Sequence, residues 1–158
     1  METNDFVGWR RSDDVTESRD YERIVFRFDG TYNFSGVAVF LANQIGSDVS
    51  RPRTIEVRLS RKFPRASLVD PATTLTTIHQ LSSADSNLQK TEWIYINLAD
   101  QSRNVNLSTR SYDNVAVYVE LRIYYAGIWI ALGEVTFKNG DFLSLFFEES
   151  SNKLYLIT

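Results

Sequence analysis

The sequence NVAVYVELRIYYAGIWIALGEVTFK, at residues 114–138, contains the strongest periodic pattern in the chain. From Val115 to Tyr125, apolar residues alternate with polar or aromatic ones, which is the period of a strand with one buried face. Ala126-Gly127 interrupts the alternation, and Ile128 restarts it. The stretch therefore predicts two strands joined as a hairpin, around which the rest of the domain is arranged.

The alternation shifts by one residue at Gly133-Glu134. In the restarted run, Ile128, Ile130 and Leu132 are in one phase, whereas Val135 and Phe137 are in the other. Such a shift predicts a β-bulge, and we expect Gly133 to supply unusual backbone angles there. Without a bulge, Glu134 would point into the core, where a carboxylate needs a cation or several donors. Glu134 is therefore either a structural carboxylate or an ordinary surface one.

Composition predicts one globular domain with a sizeable core. The chain has 158 residues, 43% of them hydrophobic, and a formal net charge of -3. This slightly negative net charge does not indicate nucleic-acid binding. Because the sequence has no cysteine, disulfides, thiolate metal sites, iron–sulfur clusters and cysteine nucleophiles are excluded.

Targeting and membrane segments are not visible in the sequence. The residues that follow Met1 are polar and acidic, without the apolar segment of a signal peptide. The apolar tract at residues 142–147 has about a third of the roughly 20 residues that a membrane-spanning helix needs. We expect residues 1–140 to form the domain and residues 141–158 a C-terminal tail, either a hairpin or disordered.

Further strand patterns occur along the chain, at residues 21–29, 37–41, 54–60 and 91–98. Asp29-Gly30 predicts a turn between the first two. Residues 66–89 are rich in Ser and Thr, and we expect them to carry a short strand or to pack over one end of the sheets. No amphipathic helix of ordinary length is predicted. Short strands with turn signals predict an all-β fold, an antiparallel β-sandwich or jelly roll.

Aromatic residues with a possible ligand role lie in the strand at residues 91–98. Trp93 and Tyr95 alternate with Ile94 and Ile96, so both would lie on the face opposite the core. Exposed rings of this kind can stack on a sugar. Packing against a neighbouring loop or sheet is the alternative that we favour.

Residues 51–65 are the most basic segment, with Arg51, Arg53, Arg58, Arg61, Lys62 and Arg65. This composition is typical of a patch for heparin or another acidic partner. It also fits a solvated strand face with charged flanks, and we favour this second interpretation. His79, the only histidine, lacks a catalytic arrangement of neighbours in the sequence and is expected to be structural.

N-glycosylation motifs occur at Asn33-Phe34-Ser35 and Asn106-Leu107-Ser108. They matter only if the chain enters the secretory pathway. The sequence contains no G-x-S-x-G, HExxH, P-loop or dinucleotide-binding motif, so we do not expect an enzyme.

Several short blocks resemble the discoidin domain receptors, which are collagen-activated receptor tyrosine kinases. These blocks are Phe6-Val7-Gly8-Trp9, residues 24–30 (IVFRFDG), Asn33-Phe34-Ser35 and residues 124–137 (YYAGIWIALGEVTF). The similar region is the second extracellular module of these receptors, the discoidin-like domain, and it covers roughly residues 5–138. The resemblance implies an antiparallel sandwich or jelly roll of the galactose-binding type (discoidin, F5/8 type C-like), located outside the cell.

The resemblance also implies a bound Ca²⁺. Glu134 matches the carboxylate ligand in the hairpin strand of the family, and Gly133 would contribute a carbonyl. Calcium prefers carboxylate and carbonyl oxygens, and here it would fasten strands to loops. Part of its shell would come from a loop that precedes Met1 in the family. Leu41, Val57 and Leu121 stand where the family has cysteines, so we expect these positions to be buried.

As a function, the resemblance implies a non-catalytic, glycosylated extracellular module of a cell-adhesion receptor. It would support the neighbouring collagen-binding discoidin domain and take part in receptor activation. Its partners would be that discoidin domain and, indirectly, collagen, with no nucleic acid. The kinase activity of the full receptors is not assigned to this chain. The alternative is a stand-alone carbohydrate-binding jelly roll that uses aromatic residues such as Trp93, Tyr95, Tyr112 and Trp129.

Overall fold

The computed structural model describes residues 6–12, 20–42, 48–65, 73–81, 91–98, 114–139 and 155–157. Within these residues the secondary structure is eight strands, without a helix. The strands are β1 (Val7–Arg10), β2 (Tyr21–Ala42), β3 (Thr54–Ser60), β4 (Thr73–Gln80), β5 (Glu92–Asn97), β6 (Val115–Tyr124), β7 (Trp129–Asn139) and β8 (Tyr155–Ile157). The predicted all-β class is confirmed.

Strand β2 connects two layers of strands. Its first part pairs with β6 on one side and with β8 on the other, and β6 continues through β3 to β4. We call this layer sheet B. Its second part pairs with β7 and β5, and β7 pairs with β1. We call this layer sheet A. All of these strand pairings are antiparallel, as predicted. The predicted hairpin at residues 114–138 is wrong, because β6 lies in sheet B and β7 in sheet A, and the two strands each pair with β2 rather than with each other.

The length of β2 corrects one sequence prediction. Asp29-Gly30 was expected to end a strand in a turn, but β2 runs through it for 22 residues. The dipeptide instead falls where the pairing of β2 with β6 shifts register, between Arg27 and Tyr32. A bulge or irregularity bends a strand and increases its twist. This irregularity lies just before Phe34, where β2 passes from sheet B into sheet A.

The core fills the space between the two sheets. Phe26 of sheet B meets Phe137 of sheet A edge to face, with 5.0 Å between ring centroids, and Phe28 meets the same ring at 5.1 Å. Each apolar side chain buried there contributes about 1.5–3 kcal/mol. Leu41, Val57 and Leu121 are all buried in this core, which confirms the prediction for these positions.

The predicted bulge in β7 is present at Gly133. Leu41 of β2 lies opposite Leu132, and the preceding residue, Phe40, lies opposite Glu134, so Gly133 is the extra residue. The reason given for glycine was wrong, because none of the described glycines has a positive φ. A Cβ on Gly133 would instead lie 2.8 Å from Phe40 Cδ1 and 3.0 Å from Phe6 Cε1. Glycine is required here by close packing against two aromatic rings.

Candidate functional site

The bulge determines where Glu134 points. Val39 and Leu41 face the core, so Phe40 and its partner Glu134 lie on the outer face of sheet A. The Glu134 side chain is exposed. Of the two alternatives that the sequence left open, the geometry therefore corresponds to a carboxylate on the surface, directed away from the core.

A Ca²⁺ ion needs six to eight oxygen ligands, so Glu134 alone cannot hold one. The described residues contain no group of three or more His, Asp or Glu side chains placed to bind a metal. Glu134 is accessible to a cation, but the described part of the chain does not provide the rest of a calcium shell.

The outer face of sheet A carries a row of aromatic rings, Phe6, Phe40, Trp93 and Tyr95, which we call the aromatic row. Consecutive ring centroids in this row are 5.7, 5.2 and 6.4 Å apart. Phe40 of β2 is paired in register with Trp93 of β5, and Tyr95 is two residues further along β5. The row therefore results from pairing of β2 with β5 and from the approach of Phe6 over Gly133.

The two predicted ligand-facing aromatics have different environments. Trp93 is half-buried between Phe40 and Tyr95. Tyr95 is 62% exposed, and its ring lies 5.3 Å from the Lys138 Nζ. Trp93 therefore packs against neighbouring residues, which is the alternative that we favoured, whereas Tyr95 remains accessible to a ligand.

A cleft of about 280 Å³ lies beside Tyr95. Its lining includes Gly36, Asn97 and Lys138, and Gly36 is paired in register with both Asn97 and Lys138. A Cβ on Gly36 would come within 3.2 Å of the Ile96 carbonyl oxygen, so glycine leaves the floor of the cleft open. An aromatic ring, an amide and an ammonium group therefore border one small concave site.

Neighbouring charged residues on the outer face of sheet B form a group that we call the ion ladder: Arg23, Glu56, Arg58, Glu120 and Arg122. In the antiparallel register of β3 and β6, Glu56 lies opposite Arg122, and Arg58 lies opposite Glu120. Arg23 of β2 lies opposite Arg122 on the other side of β6. Opposite charges are thus adjacent both across and along the strands.

The ladder side chains are joined by short ion pairs. Glu120 Oε1 accepts hydrogen bonds from Arg122 Nε at 2.7 Å and from Arg23 Nε at 2.8 Å. Glu56 Oε1 accepts one from Arg58 Nε at 2.7 Å. Glu120 and Arg122 have 0% exposure, and Glu56 and Arg58 have 5% each. A carboxylate held by two arginines is a charge-neutralising link rather than a free acid or base.

Tyrosine rings extend the ladder at one end. The Arg122 guanidinium lies 5.1 Å from the Tyr21 ring centroid, and the Tyr124 hydroxyl donates to Glu56 Oε2 at 2.9 Å. Burial and this hydrogen bond raise the pKa of Tyr124. Burial alone would lower the pKa of Arg122, but its hydrogen bond to Glu120 and the charge of Glu120 raise it. At neutral pH, Arg122 is therefore charged and Tyr124 retains its phenolic proton.

The ion ladder corrects the sequence interpretation of residues 51–65. Glu56 and Arg58 were assigned to a solvated strand face, but both are buried. A usable signal was present in the sequence: Glu56-Val57-Arg58 and Glu120-Leu121-Arg122 share the spacing Glu-x-Arg. Two such strands paired antiparallel place each carboxylate opposite the other strand's guanidinium. Arg53, Arg61, Lys62 and Arg65 are exposed as expected, whereas Arg51 is half-buried and forms an ion pair with Glu92.

Other predicted residues lie apart from these surfaces. Asn33 is half-buried in β2 opposite Val115. Asn106 and Tyr112 lie outside the described residues. His79 on β4 is half-buried, and burial followed by the charge of Arg51 lowers its pKa. The structure therefore does not gather the predicted residues into one site.

Comparison with known proteins identifies the fold family. The chain matches the family described as discoidin domain-containing receptor 1/2, DS-like domain, over residues 1–139. A search of curated proteins found no significant match. In the part of the chain that the structure describes, no helix has the length and apolar character needed to cross a membrane.

The matched region contains β1 to β7, and therefore the bulge, the aromatic row and the ion ladder. Discoidin-like domains of this family are non-catalytic modules of receptor extracellular regions. The mutual pairing of buried charges on sheet B agrees with a structural module of this kind. The chain belongs to the DS-like domain family of the discoidin domain-containing receptors.

Proposed function

We propose that this domain supports a neighbouring collagen-binding discoidin domain in the extracellular part of a plasma-membrane receptor, and that it contributes to receptor activation. The observation that carries the proposal is the family match over residues 1–139. The ion ladder supports it, because Glu56 and Glu120 are committed to arginines within the domain and are unavailable for proton transfer.

The domain would act as a rigid spacer. Strand β2 belongs to both sheets, so a load applied to one sheet passes directly into the other through a continuous backbone. A spacer of this kind holds the collagen-binding domain in a fixed orientation relative to the membrane. The aromatic row on sheet A would be the surface that meets a neighbouring module.

A receptor chimera tests the proposal. Residues 1–139 would replace the discoidin-like domain of a discoidin domain receptor, and collagen-induced tyrosine phosphorylation would be measured in cells. We expect the chimera to reach the surface, bind collagen and respond, whereas a receptor with an unrelated β-sandwich at the same place would bind collagen without responding. A surface-expressed chimera that binds collagen but gives no phosphorylation would contradict the proposal.

A second candidate function is carbohydrate binding in the cleft beside Tyr95. The observation that favours it is the exposed Tyr95 ring next to Asn97 and Lys138 at an opening of about 280 Å³. That volume lies near the lower end of the roughly 300–1,000 Å³ of small-molecule sites. Glycan-array binding by the wild type that disappears in Tyr95→Ala, but persists in the exposed apolar control Ile78→Ala, would support this function.

Calcium binding at Glu134 is a further part of the proposal. Its support is the family resemblance at Gly133-Glu134 and the exposure of the Glu134 carboxylate, with the other ligands supplied from outside the described residues. We expect Glu134→Ala to lower the melting temperature more in calcium than in chelator. Equal melting temperatures of the wild type in calcium and in chelator would contradict calcium binding.

Glycosylation at Asn33 and Asn106 would accompany an extracellular location. Secretion of the chain from mammalian cells and a mobility shift after glycosidase treatment would test both sequons. Separate Asn→Gln variants would assign the shift to one position or the other, and a chain that is secreted without any shift would contradict glycosylation.

A further inference from the structure

The loop that follows β3 presents a cluster of positive charge. Arg61, Lys62 and Arg65 are exposed, and Phe63 among them is 50% exposed. Arg27 of β2 is exposed on the same face, because Arg27 and Ser60 lie opposite Tyr118 on its two sides. Two strand spacings, about 10 Å, separate Arg27 from Ser60. We call Arg27, Arg61, Lys62 and Arg65, with Phe63, the basic patch.

The loop is held in one conformation by the residues beneath it. The Ser60 hydroxyl donates to the Lys62 carbonyl and accepts from the Lys62 backbone N–H at 3.2 Å. Arg23 Nη2 donates to the Pro64 carbonyl at 2.6 Å, and its guanidinium lies 5.9 Å from the Phe63 ring. Since Arg23 is itself bound by Glu120, the ion ladder anchors the loop.

The ladder carboxylates do not reach the patch surface. Glu56 and Glu120 are buried and bind Arg58, Arg23 and Arg122. The next carboxylate along β2 is Asp29, which accepts a hydrogen bond from the Tyr32 hydroxyl at 2.7 Å. The patch thus presents concentrated positive charge on a chain whose formal net charge is -3. Such segregation of charge attracts polyanions.

We propose that the basic patch binds a linear sulfated polysaccharide of the heparin type. Guanidinium groups bind planar or tetrahedral anionic oxygens through paired N–H donors, which suits sulfates and carboxylates repeated along a chain. Phe63, T-shaped against Tyr118 at 5.8 Å, offers an apolar surface for a sugar ring between the cations. Preorganisation of the loop reduces the entropy lost on binding.

Sulfated polysaccharide is favoured over nucleic acid and anionic membrane by two features. The family is a receptor extracellular one, where sulfated polysaccharides are the abundant polyanions. The patch also has a single half-exposed aromatic ring, whereas single-stranded nucleic acid is bound by a series of stacking platforms. Collagen plays no part in this binding. A protein that does not bind heparin would therefore not contradict the proposed receptor function.

The test compares two double variants of the full 158-residue chain with the same charge change. R61Q/K62Q removes an arginine and a lysine from the patch, and R10Q/R11Q removes two positive charges from exposed positions at the end of β1 in sheet A. Binding to heparin would be measured by calorimetry over a range of salt concentrations. Circular dichroism melts would show that both variants remain folded.

We expect R61Q/K62Q to bind heparin about tenfold more weakly and to reduce the slope of log K against log salt by about two, one unit for each lost contact. R10Q/R11Q should bind within about twofold of the wild type, because it leaves the patch unchanged. R27Q should weaken binding in the same direction as R61Q/K62Q, by a smaller factor.

Three results would overturn the proposal. Equal losses in the two double variants would show a diffuse charge effect. Absence of heparin binding at low salt would show that the basic patch is not a heparin-binding site. Tighter binding to single-stranded DNA or to phosphatidylserine vesicles than to heparin would assign the patch to another class of partner.

Discussion

The two outer faces of the sandwich reverse the usual relation between residue type and exposure. On sheet B, the charged Glu120 and Arg122 are completely buried. On sheet A, the aromatic Tyr95 is 62% exposed, and the carboxylate of Glu134 is exposed beside the ring of Phe40. Both faces are built from alternate residues of antiparallel strands, so alternation alone does not determine what is buried.

The difference arises from what lies beside each residue. On sheet B, every charged residue of the ladder has an opposite charge one strand away, and long arginine stems and tyrosine rings cover the pairs. On sheet A, the small residues Gly36 and Ala38 lie next to Asn97 and Tyr95, so nothing on β2 covers the Tyr95 ring. Charge pairing therefore allows the ladder side chains to be buried on sheet B, whereas small neighbouring residues leave the Tyr95 ring exposed on sheet A.

The largest expected effect comes from breaking the ion ladder. Arg122→Met leaves the buried Glu120 with one arginine fewer, and we expect a loss of about 3–5 kcal/mol in the free energy of unfolding. Urea denaturation measures this loss. Arg27→Met, on the same face but exposed, is the matched control and should change stability by less than about 0.5 kcal/mol. Similar values for the two variants would contradict a structural role for the ladder.

The next effect tests the packing beneath the aromatic row. Gly133→Ala introduces a Cβ 2.8 Å from Phe40 and 3.0 Å from Phe6, and we expect a loss of about 1–3 kcal/mol. At Gly8 the nearest atom to an added Cβ is 3.7 Å away, so Gly8→Ala is the control and should be nearly neutral. Thermal melts of both variants distinguish close packing from a general cost of replacing glycine.

A smaller effect concerns pH on sheet B. The pKa of Tyr124 is raised by burial and by its hydrogen bond to Glu56, so the folded state holds the phenolic proton more tightly than the unfolded state. Its contribution is present below the ordinary value of 10.0 and is lost as pH rises above it. We expect Tyr124→Phe to cost about 1 kcal/mol at neutral pH and to reduce the loss of stability at alkaline pH. Urea midpoints measured from neutral to alkaline pH check this, and an unchanged alkaline loss would contradict it.

The smallest effect is expected at the exposed end of the aromatic row. Tyr95→Ala should change the free energy of unfolding by less than about 0.5 kcal/mol, because the ring is mainly solvated. Phe26→Ala, in the core, is the contrasting control and should cost about 3–5 kcal/mol. A large loss in Tyr95→Ala would show that the exposed ring is part of the packing after all.

Periodicity was enough to predict the strands β6 and β7, the bulge and the sandwich, because apolar residues on the inner faces leave a period-2 pattern. It wrongly joined β6 and β7 as a hairpin, because periodicity does not show which strands pair. It could not reveal that β2 continues through Asp29-Gly30, since that depends on β2 finding partners in both sheets. It also assigned Glu56 and Arg58 to solvent, because hydrophobicity ignores cross-strand charge pairing. The reason for glycine at position 133 required knowledge of the Phe6 and Phe40 rings, which come from distant parts of the sequence.

A double-mutant cycle on Glu120 and Arg122 tests most directly whether mutual pairing of buried charges stabilises the domain. The free energies of unfolding of wild type, Glu120→Gln, Arg122→Met and the double variant would be measured in urea. The loss in the double variant should be smaller than the sum of the single losses by about 0.5–3 kcal/mol. Additive losses would contradict the pairing, because they would show that each side chain stabilises the domain independently of the other.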